Sequence, residues 1–386
     1  MTANLTPADA AVRRESLARR HAAVRKRMEV DGTEVLIAYG SGRHAFTGTN
    51  PAWYLAGFKQ IGPHAAVILP LDADPLLVLT PHWDHARYRE RATMESVAAT
   101  PEAFLDTVAG ELQKRALIGR RTAVAGGQQQ PREIHAAWPA LLGQSPQDAE
   151  KLISDLAKIR DEWSLNCVRR AADIAERGYA NLLETARPGM AEHRIAADLE
   201  IFMRGLGAED NFQLLSASQR NHAGHFPTGR IVAQGDIMLA EITPAVEGEF
   251  VQICRTTVFG KPSALQLEKF ALLDTALRAG MRAATPGATV TDIVAAINEP
   301  IAAAGYERYT KPPYMRTRGH SMGLGSMEPE VAPGNEHYME TNMVFVMHPN
   351  QFIPETGYLM CGEPVIVTPD GAVPLTRRMG TLGSIV

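Results

Sequence analysis

The feature that most constrains this chain is an internal echo. The stretch Arg187-Pro-Gly-Met-Ala-Glu-His-Arg-Ile-Ala-Ala-Asp198 returns 98 residues later as Thr285-Pro-Gly-Ala-Thr-Val-Thr-Asp-Ile-Val-Ala-Ala296. Pro188 matches Pro286, Ile195 matches Ile293, and Gly207-Ala-Glu209 matches Gly305-Tyr-Glu307. In each copy a helix pattern (161–186, then 264–284) stops at Pro-Gly. A second helix (191–205, then 290–304) ends at Gly, and strands follow. The period is far too long for a solenoid. It predicts a duplicated α+β half with pseudo-twofold symmetry, with a site where the two halves meet on a shared sheet. Strand patterns cover 236–259, 343–347 and 364–367, with a Pro369-Asp370-Gly371 turn beyond.

The first part of the chain reads differently. Residues 10–30 form a basic amphipathic helix pattern whose arginines read as a solvated face. Short apolar strands are expected at 34–38, 65–69, 75–79 and 122–125, with a helical stretch at 101–115. Helices alternating with short strands predict an α/β domain. The polar stretch Gln144-Ser-Pro-Gln-Asp-Ala-Glu150 is the best boundary, giving domains 1–150 and 151–386. A length of 386 residues suits two domains. The expected fold class is therefore α+β, an N-terminal α/β domain followed by the duplicated one.

Composition removes several functions. Lys plus Arg is 39 against 43 Asp plus Glu, a net charge of −4, so no basic excess exists to hold a nucleic acid backbone. Mean hydropathy is −0.15, and no apolar run reaches the ~18 residues of a membrane span. The N-terminal stretch through Arg27 lacks the apolar core of a signal peptide. Cys167, Cys254 and Cys361 are too few and scattered for a disulfide framework or a Cys-based zinc site. The expected setting is the cytoplasm, and the expected partner is a small molecule.

Polar residues in the second half sit at informative places. His222 and His225 lie in Asn-His-Ala-Gly-His-Phe-Pro, a loop before a strand. Glu241 interrupts the apolar run from Ile237, and Gln252 lies in the next strand. His320 sits in Arg318-Gly-His-Ser-Met-Gly-Leu-Gly325. His348 ends the run 343–347, and Glu363 precedes Val365-Ile-Val367. Carboxylates and imidazoles inside apolar strands are costly unless paired or functional. Elsewhere, His82-Trp-Asp-His85 reads as a surface helix start, and Lys311-Pro-Pro-Tyr-Met-Arg-Thr-Arg318 as a loop able to cover an anionic group.

These residues carry a resemblance. The second half resembles the "pita-bread" fold of the M24 family, which includes prolidases, Xaa-Pro aminopeptidases and creatinases. The match runs from Lys158-Ile-Arg-Asp-Glu162 through Arg187-Pro-Gly-Met190 to Gly362-Glu-Pro-Val-Ile-Val-Thr-Pro-Asp-Gly371. The first half resembles the creatinase/prolidase N-terminal domain, including Trp53-Tyr-Leu-Ala-Gly-Phe58. The resemblance implies a homodimer in which Arg43, His44 and His64 reach a neighbour's site.

Family peptidases hold two metal ions with Asp, Asp, His, Glu and Glu. By resemblance those positions are Glu241, Gln252, His320, His348 and Gly362 here. Gln252 is neutral and Gly362 has no side chain, whereas two adjacent dications need anionic bridges. Glu363 is one residue off, which in a strand turns it to the other face. The chain also resembles creatinase, through Gly224-His225-Phe-Pro and Gly319-His-Ser-Met-Gly323, and ectoine hydrolase, through Leu239-Ala-Glu-Ile242 and Cys254-Arg-Thr-Thr-Val-Phe-Gly-Lys-Pro262. Both lack a two-metal centre.

The leading expectation is a creatinase-like hydrolase that cleaves a C–N bond of a small polar metabolite without metal or other cofactor. The alternatives are a mononuclear-metal M24 enzyme, Xaa-Pro peptidase-like or a lyase, on Glu241, His320 and His348, and a non-catalytic binding protein. His225 is expected as leading acid/base, Glu241 as its partner or the water-activating base, and His320 and His348 as polarising groups. His222, Gln252, Arg318 and Glu363 are expected to bind substrate. Cys254 reads as a core thiol, with a nucleophile as the second reading.

Overall fold

The computed structural model describes residues 6–42, 48–315 and 317–386. Arg43, His44 and Arg316 lie outside the described residues. The chain divides into two compact units, Asn4–Lys158 with Gly323–Met327, and Ile159–Met322 with Glu328–Val386.

The N-terminal unit runs α1 (Pro7–Asp31), β1 (Val35–Gly40), α2 (Pro51–Ala56), β2 (Ala65–Pro70), β3 (Leu76–Leu79) and α3 (His82–Arg89). It continues β4 (Glu95–Ala98), α4 (Phe104–Lys114), β5 (Thr122–Ala125), α5 (Arg132–Leu142), β6 (Gln147–Asp148) and α6 (Glu150–Ala157). Thr6 and Asp9 form a capping box that starts α1, and Gly32, left-handed at φ 68°, ends it. The strand order is β4-β3-β2-β1-β5-β6. Every residue of β1 and β2 is buried because both faces of the sheet are covered by apolar clusters. Two arginines of α1 depart from the solvated face read in the sequence, whereas Arg14, Arg19 and Arg27 are exposed on it. Arg13 and Arg20 are buried, donating to the carbonyls of Gly57 and Tyr54, and the Arg20 guanidinium lies 4.4 Å over the Tyr54 ring. They cap the open C-terminal carbonyls of α2. In the same unit Asp84 is buried and accepts from the amides of Ile61 and Gly62, a structural role.

The C-terminal unit is built twice. Its first half contains α7 (Glu162–Thr185), α8 (Glu192–Gly205), β7 (Asp210–Ser218), β8 (Ile237–Val246), β9 (Glu249–Phe250) and β10 (Ile253–Phe259). The second contains α9 (Ala264–Ala283), α10 (Val290–Ile301), β11 (Gly319–His320), β12 (Val344–Met347), β13 (Gln351–Ile353) and β14 (Gly357–Leu359). β15 (Glu363–Thr368), β16 (Gly371–Pro374) and β17 (Gly383–Ile385) complete it.

The echo in the sequence is an echo in hydrogen bonds. Gly189 and Gly287 are both left-handed, at φ 93° and 89°, and donate to Val232 and Met339 carbonyls at 2.8 and 2.9 Å. Ala191 bridges Ile231 as Thr289 bridges Tyr338. Each helix stop thus turns the chain by the same left-handed glycine. The second helix of the second copy ends at Ile301 rather than 304, and Gly305 at φ 90° closes the turn that follows.

One sheet has the order β17-β10-β8-β7, with β9 on β8, and the other β11-β12-β15-β16. They meet at an isolated bridge, where Cys254 N donates to Gly362 O at 3.1 Å and Gly362 N to Cys254 O at 3.0 Å. Among the described residues no helix is long and apolar enough to cross a membrane.

Candidate active site

The seam between the two sheets sets out a row of side chains. Glu241 of β8 pairs with Cys254 of β10, and Cys254 with Gly362. The β12–β15 register, Met347 opposite Glu363, puts His348 beside Gly362. Strand alternation sends the neighbours to the other face. There Arg255 meets Glu363 at 2.7 Å, and Thr376 donates to Glu363 at 2.6 Å, all three buried. Glu363, read as substrate-binding, therefore points away from the row and is held by Arg255.

A cavity of about 450 Å³ lies over this row. Glu241, His348, Asn350, Tyr358 and His222 line it, with Pro313, Tyr314, Met315, Thr317 and Phe352 forming an apolar and aromatic side. Gln252 sits behind Glu241, donating from Nε2 to Glu241 Oε2 at 3.4 Å and to Thr243 Oγ1 at 3.2 Å. His222 stacks on Phe352 at 6.0 Å, and Tyr314 stacks on it at 6.1 Å.

Burial tunes the groups. Desolvation raises Glu241 to about 7, so both protonation states are accessible near neutrality. Burial, with the positive charge of Arg318 adding to it, lowers His348 to about 3 and keeps its imidazole neutral. Burial also lowers His320, whose ring lies 5.4 Å from His348, edge to face. Its Nδ1–H donates to the Ser321 carbonyl at 3.3 Å, which leaves Nε2 as acceptor. Burial pushes the Tyr358 phenol and the Cys254 thiol up, so both stay protonated.

Arg318, also read as substrate-binding, is fully buried. It donates to Asn298 Oδ1 at 2.8 Å, Asn350 O at 3.0 Å and Gln351 Oε1 at 2.9 Å. Its place is to hold the Asn350 segment that lines the cavity. His225 lies apart from the lining residues. Its ring is exposed, with Nδ1 2.8 Å from the Phe226 carbonyl, and its own carbonyl accepts from Leu215 N at 3.1 Å. The structure thus brings Glu241, His348 and His222 to the cavity, sets Gln252 and His320 against them, and leaves His225, Arg318 and Glu363 outside its lining.

Sequence reading missed Asn350, Tyr358, Phe352 and Tyr314. Asn350 carried a signal, two residues beyond His348. Phe352 and Tyr358 face each other across the β13–β14 hairpin, a pairing the sequence did not reveal. Tyr314 sits in the 311–318 loop, which contributes apolar and aromatic side chains to the cavity, while Lys311 turns to Glu307 at 2.7 Å.

The five positions matched to metal ligands offer one carboxylate, two neutral imidazoles, an amide and a glycine. Among the described residues no group of three or more His, Cys, Asp or Glu side chains is arranged to hold a metal ion. This donor set does not fit two adjacent dications.

Residues 166–369, more than half of the chain, match the profile of metallopeptidase family M24. The chain belongs to this family. The Xaa-Pro dipeptidase of Pyrococcus furiosus is 27% identical over 234 residues, which cover 59% of this chain and 66% of that relative. The chain thus spans just under two thirds of that relative's length. The probable dipeptidase PepE of Mycobacterium bovis is 27% identical over 322 residues, 80% of this chain and 82% of the relative. The crystal structure of dipeptidase PepE from Mycobacterium ulcerans superposes with a TM-score of 0.78 at 23% identity, covering 98% of this chain and 99% of that one. At that identity the likeness is one of fold, the duplicated pita-bread architecture behind an N-terminal unit.

Proposed function

We propose that this chain is a hydrolase that cleaves the amide C–N bond of a dipeptide-sized substrate in the cavity over Glu241. The observation that carries this reading is the cavity itself. It is the size of a small-ligand site and gathers one carboxyl group with neutral N–H and O–H donors. The names of the relatives, Xaa-Pro dipeptidase and probable dipeptidase, support a peptide substrate. They favour the Xaa-Pro peptidase-like reading over the creatinase-like one with which the sequence led.

In this reading Glu241 accepts a proton from water as the water oxygen bonds to the substrate carbonyl carbon. The Tyr358 hydroxyl and the Asn350 amide donate to the oxyanion that develops. Glu241 then returns the proton to the leaving nitrogen as the C–N bond breaks. The aromatic side of Tyr314, Phe352 and His222 receives the apolar part of the substrate. The reading takes the enzyme as a cytoplasmic homodimer, which sedimentation at micromolar concentration checks.

The test is a panel of Xaa-Pro dipeptides, other dipeptides and small amidines, with released amine measured by mass spectrometry. Dipeptide turnover that disappears in Glu241→Gln supports the reading. Turnover of amidines alone restores the creatinase-like reading, and turnover that survives in Glu241→Gln removes Glu241 from the chemistry.

A further inference from the structure

We propose that the Cys254–Gly362 pair closes the position of the last carboxylate ligand of the M24 two-metal centre, so that this cavity takes no second divalent cation. Gly362 does not adopt the left-handed backbone that would itself demand glycine. Space demands it instead. A Cβ at 362 would lie 2.6 Å from Cys254 Sγ, 2.7 Å from Cys254 Cβ and 2.9 Å from His348 Cβ. Two of these atoms are Cβ atoms fixed to the backbone, so no rotamer change clears the space. Cys254 is paired with Glu241 on one side and bonded to Gly362 at 3.1 and 3.0 Å on the other. His348 is held by its amide, which donates to Arg318 O at 2.9 Å.

The neighbouring exchange agrees with this one. Where the family has a bridging carboxylate, Gln252 turns Nε2 toward Glu241, so N–H donors face the carboxylate that would bind a cation. The Cys254 thiol in turn donates to Gln252 Oε1 at 3.8 Å. A two-metal centre needs anionic oxygens at these places to clamp both ions. Here they hold an amide donor, a protonated thiol and no side chain. The row is instead closed by hydrogen bonds among its own members. Because the proposal concerns metal stoichiometry, its outcome is independent of which substrate is turned over.

The experiment is titration of the purified full-length chain with Co²⁺, read by calorimetry, by bound metal per chain after desalting, and by the visible Co²⁺ bands. At most one Co²⁺ per chain is expected, and two per chain with bands lost in Glu241→Gln would overturn the proposal. The variant Gln252→Asp/Cys254→Gly/Gly362→Glu is expected to gain a second Co²⁺. Gly362→Glu alone is expected to gain none; a single variant that keeps the wild-type melting temperature and binds a second Co²⁺ would show that the position is open. If the variants do not fold, the wild-type stoichiometry decides alone.

Discussion

At the residue scale the site depends on what burial does to single ionisable groups. Glu241 is the carboxyl group of the cavity, and desolvation brings it to about 7. A base must be ionised to accept a proton, so kcat/KM is expected to rise as pH passes through 7 and to level above it. A profile measured from pH 5.5 to 9 that is flat across 7 would count against Glu241 as base. Glu241→Gln keeps the shape and removes the base, and its kcat is expected to fall about 10²–10⁴-fold. His348 gives a second residue-scale expectation, on stability. Its folded value, about 3, lies below the unfolded 6.5 because burial disfavours the charged ring. The stability it permits is therefore full above pH 6.5 and is lost progressively as pH falls toward 3. At pH 5.5 the loss is about 1 kcal/mol. Urea unfolding at pH 7.5 and 5.5 checks this, with His348→Gln expected to show a smaller difference between the two pH values than the wild type.

At the scale of elements, the two half-sheets are joined by a seam with two faces. One face carries Glu241, Cys254 and Gly362, and the other carries Arg255 and Glu363. The Arg255–Glu363 pair is fully desolvated, and Arg255 also donates to the Gly362 carbonyl at 2.6 Å and to Thr376. Removing one partner strands the other. Arg255→Met is expected to cost about 3–5 kcal/mol, the range for breaking a buried pair, and Arg255→Met/Glu363→Leu much less. Chemical denaturation of both variants checks it; a double variant as unstable as the single one would show that the pair is not the cause. The seam also marks the limit of legibility. Strands such as β5, Thr122–Ala125, were readable because a short apolar run bounded by polar residues has little else to become. The duplication was readable because Pro-Gly helix stops are local signals. Glu363 was read among the substrate-binding residues although alternation, which is local, already turned it to the other face, and the structure follows alternation. The meeting of Cys254 with Gly362 was not readable, since an isolated bridge between distant strands leaves no periodicity. His225 shares the Gly-His pattern of His320, but a loop residue takes its direction from tertiary packing, and this loop turns it outward.

At the scale of the whole molecule, the chain's division into units does not follow its order. Five residues, Gly323–Met327, belong to the N-terminal unit although 164 residues of the other unit, Ile159–Met322, precede them. The sequence there is fitted to its place. Leu324 is buried in the core cluster with Trp53, Tyr54 and Leu152, and its carbonyl accepts from Asn50 N at 2.5 Å. A Cβ at Gly325 would lie 2.3 Å from the Ala157 Cβ, so the segment can pass only as glycine. Ser326 Oγ pairs with Ser154 Oγ at 2.9 Å. The N-terminal unit therefore lacks part of its core until residue 327 has been made. Leu324→Ala is expected to destabilise it by about 2–4 kcal/mol through the lost apolar contact and the void left behind. Because β1 and β2 lie in the same core, the effect belongs there. Hydrogen exchange of the Val35–Gly40 and Ala65–Pro70 amides should speed up in Leu324→Ala, and a fragment ending at Lys158 should show the same faster exchange. Unchanged protection of both strands in the variant would mean that the five residues rest on the N-terminal core without supporting it.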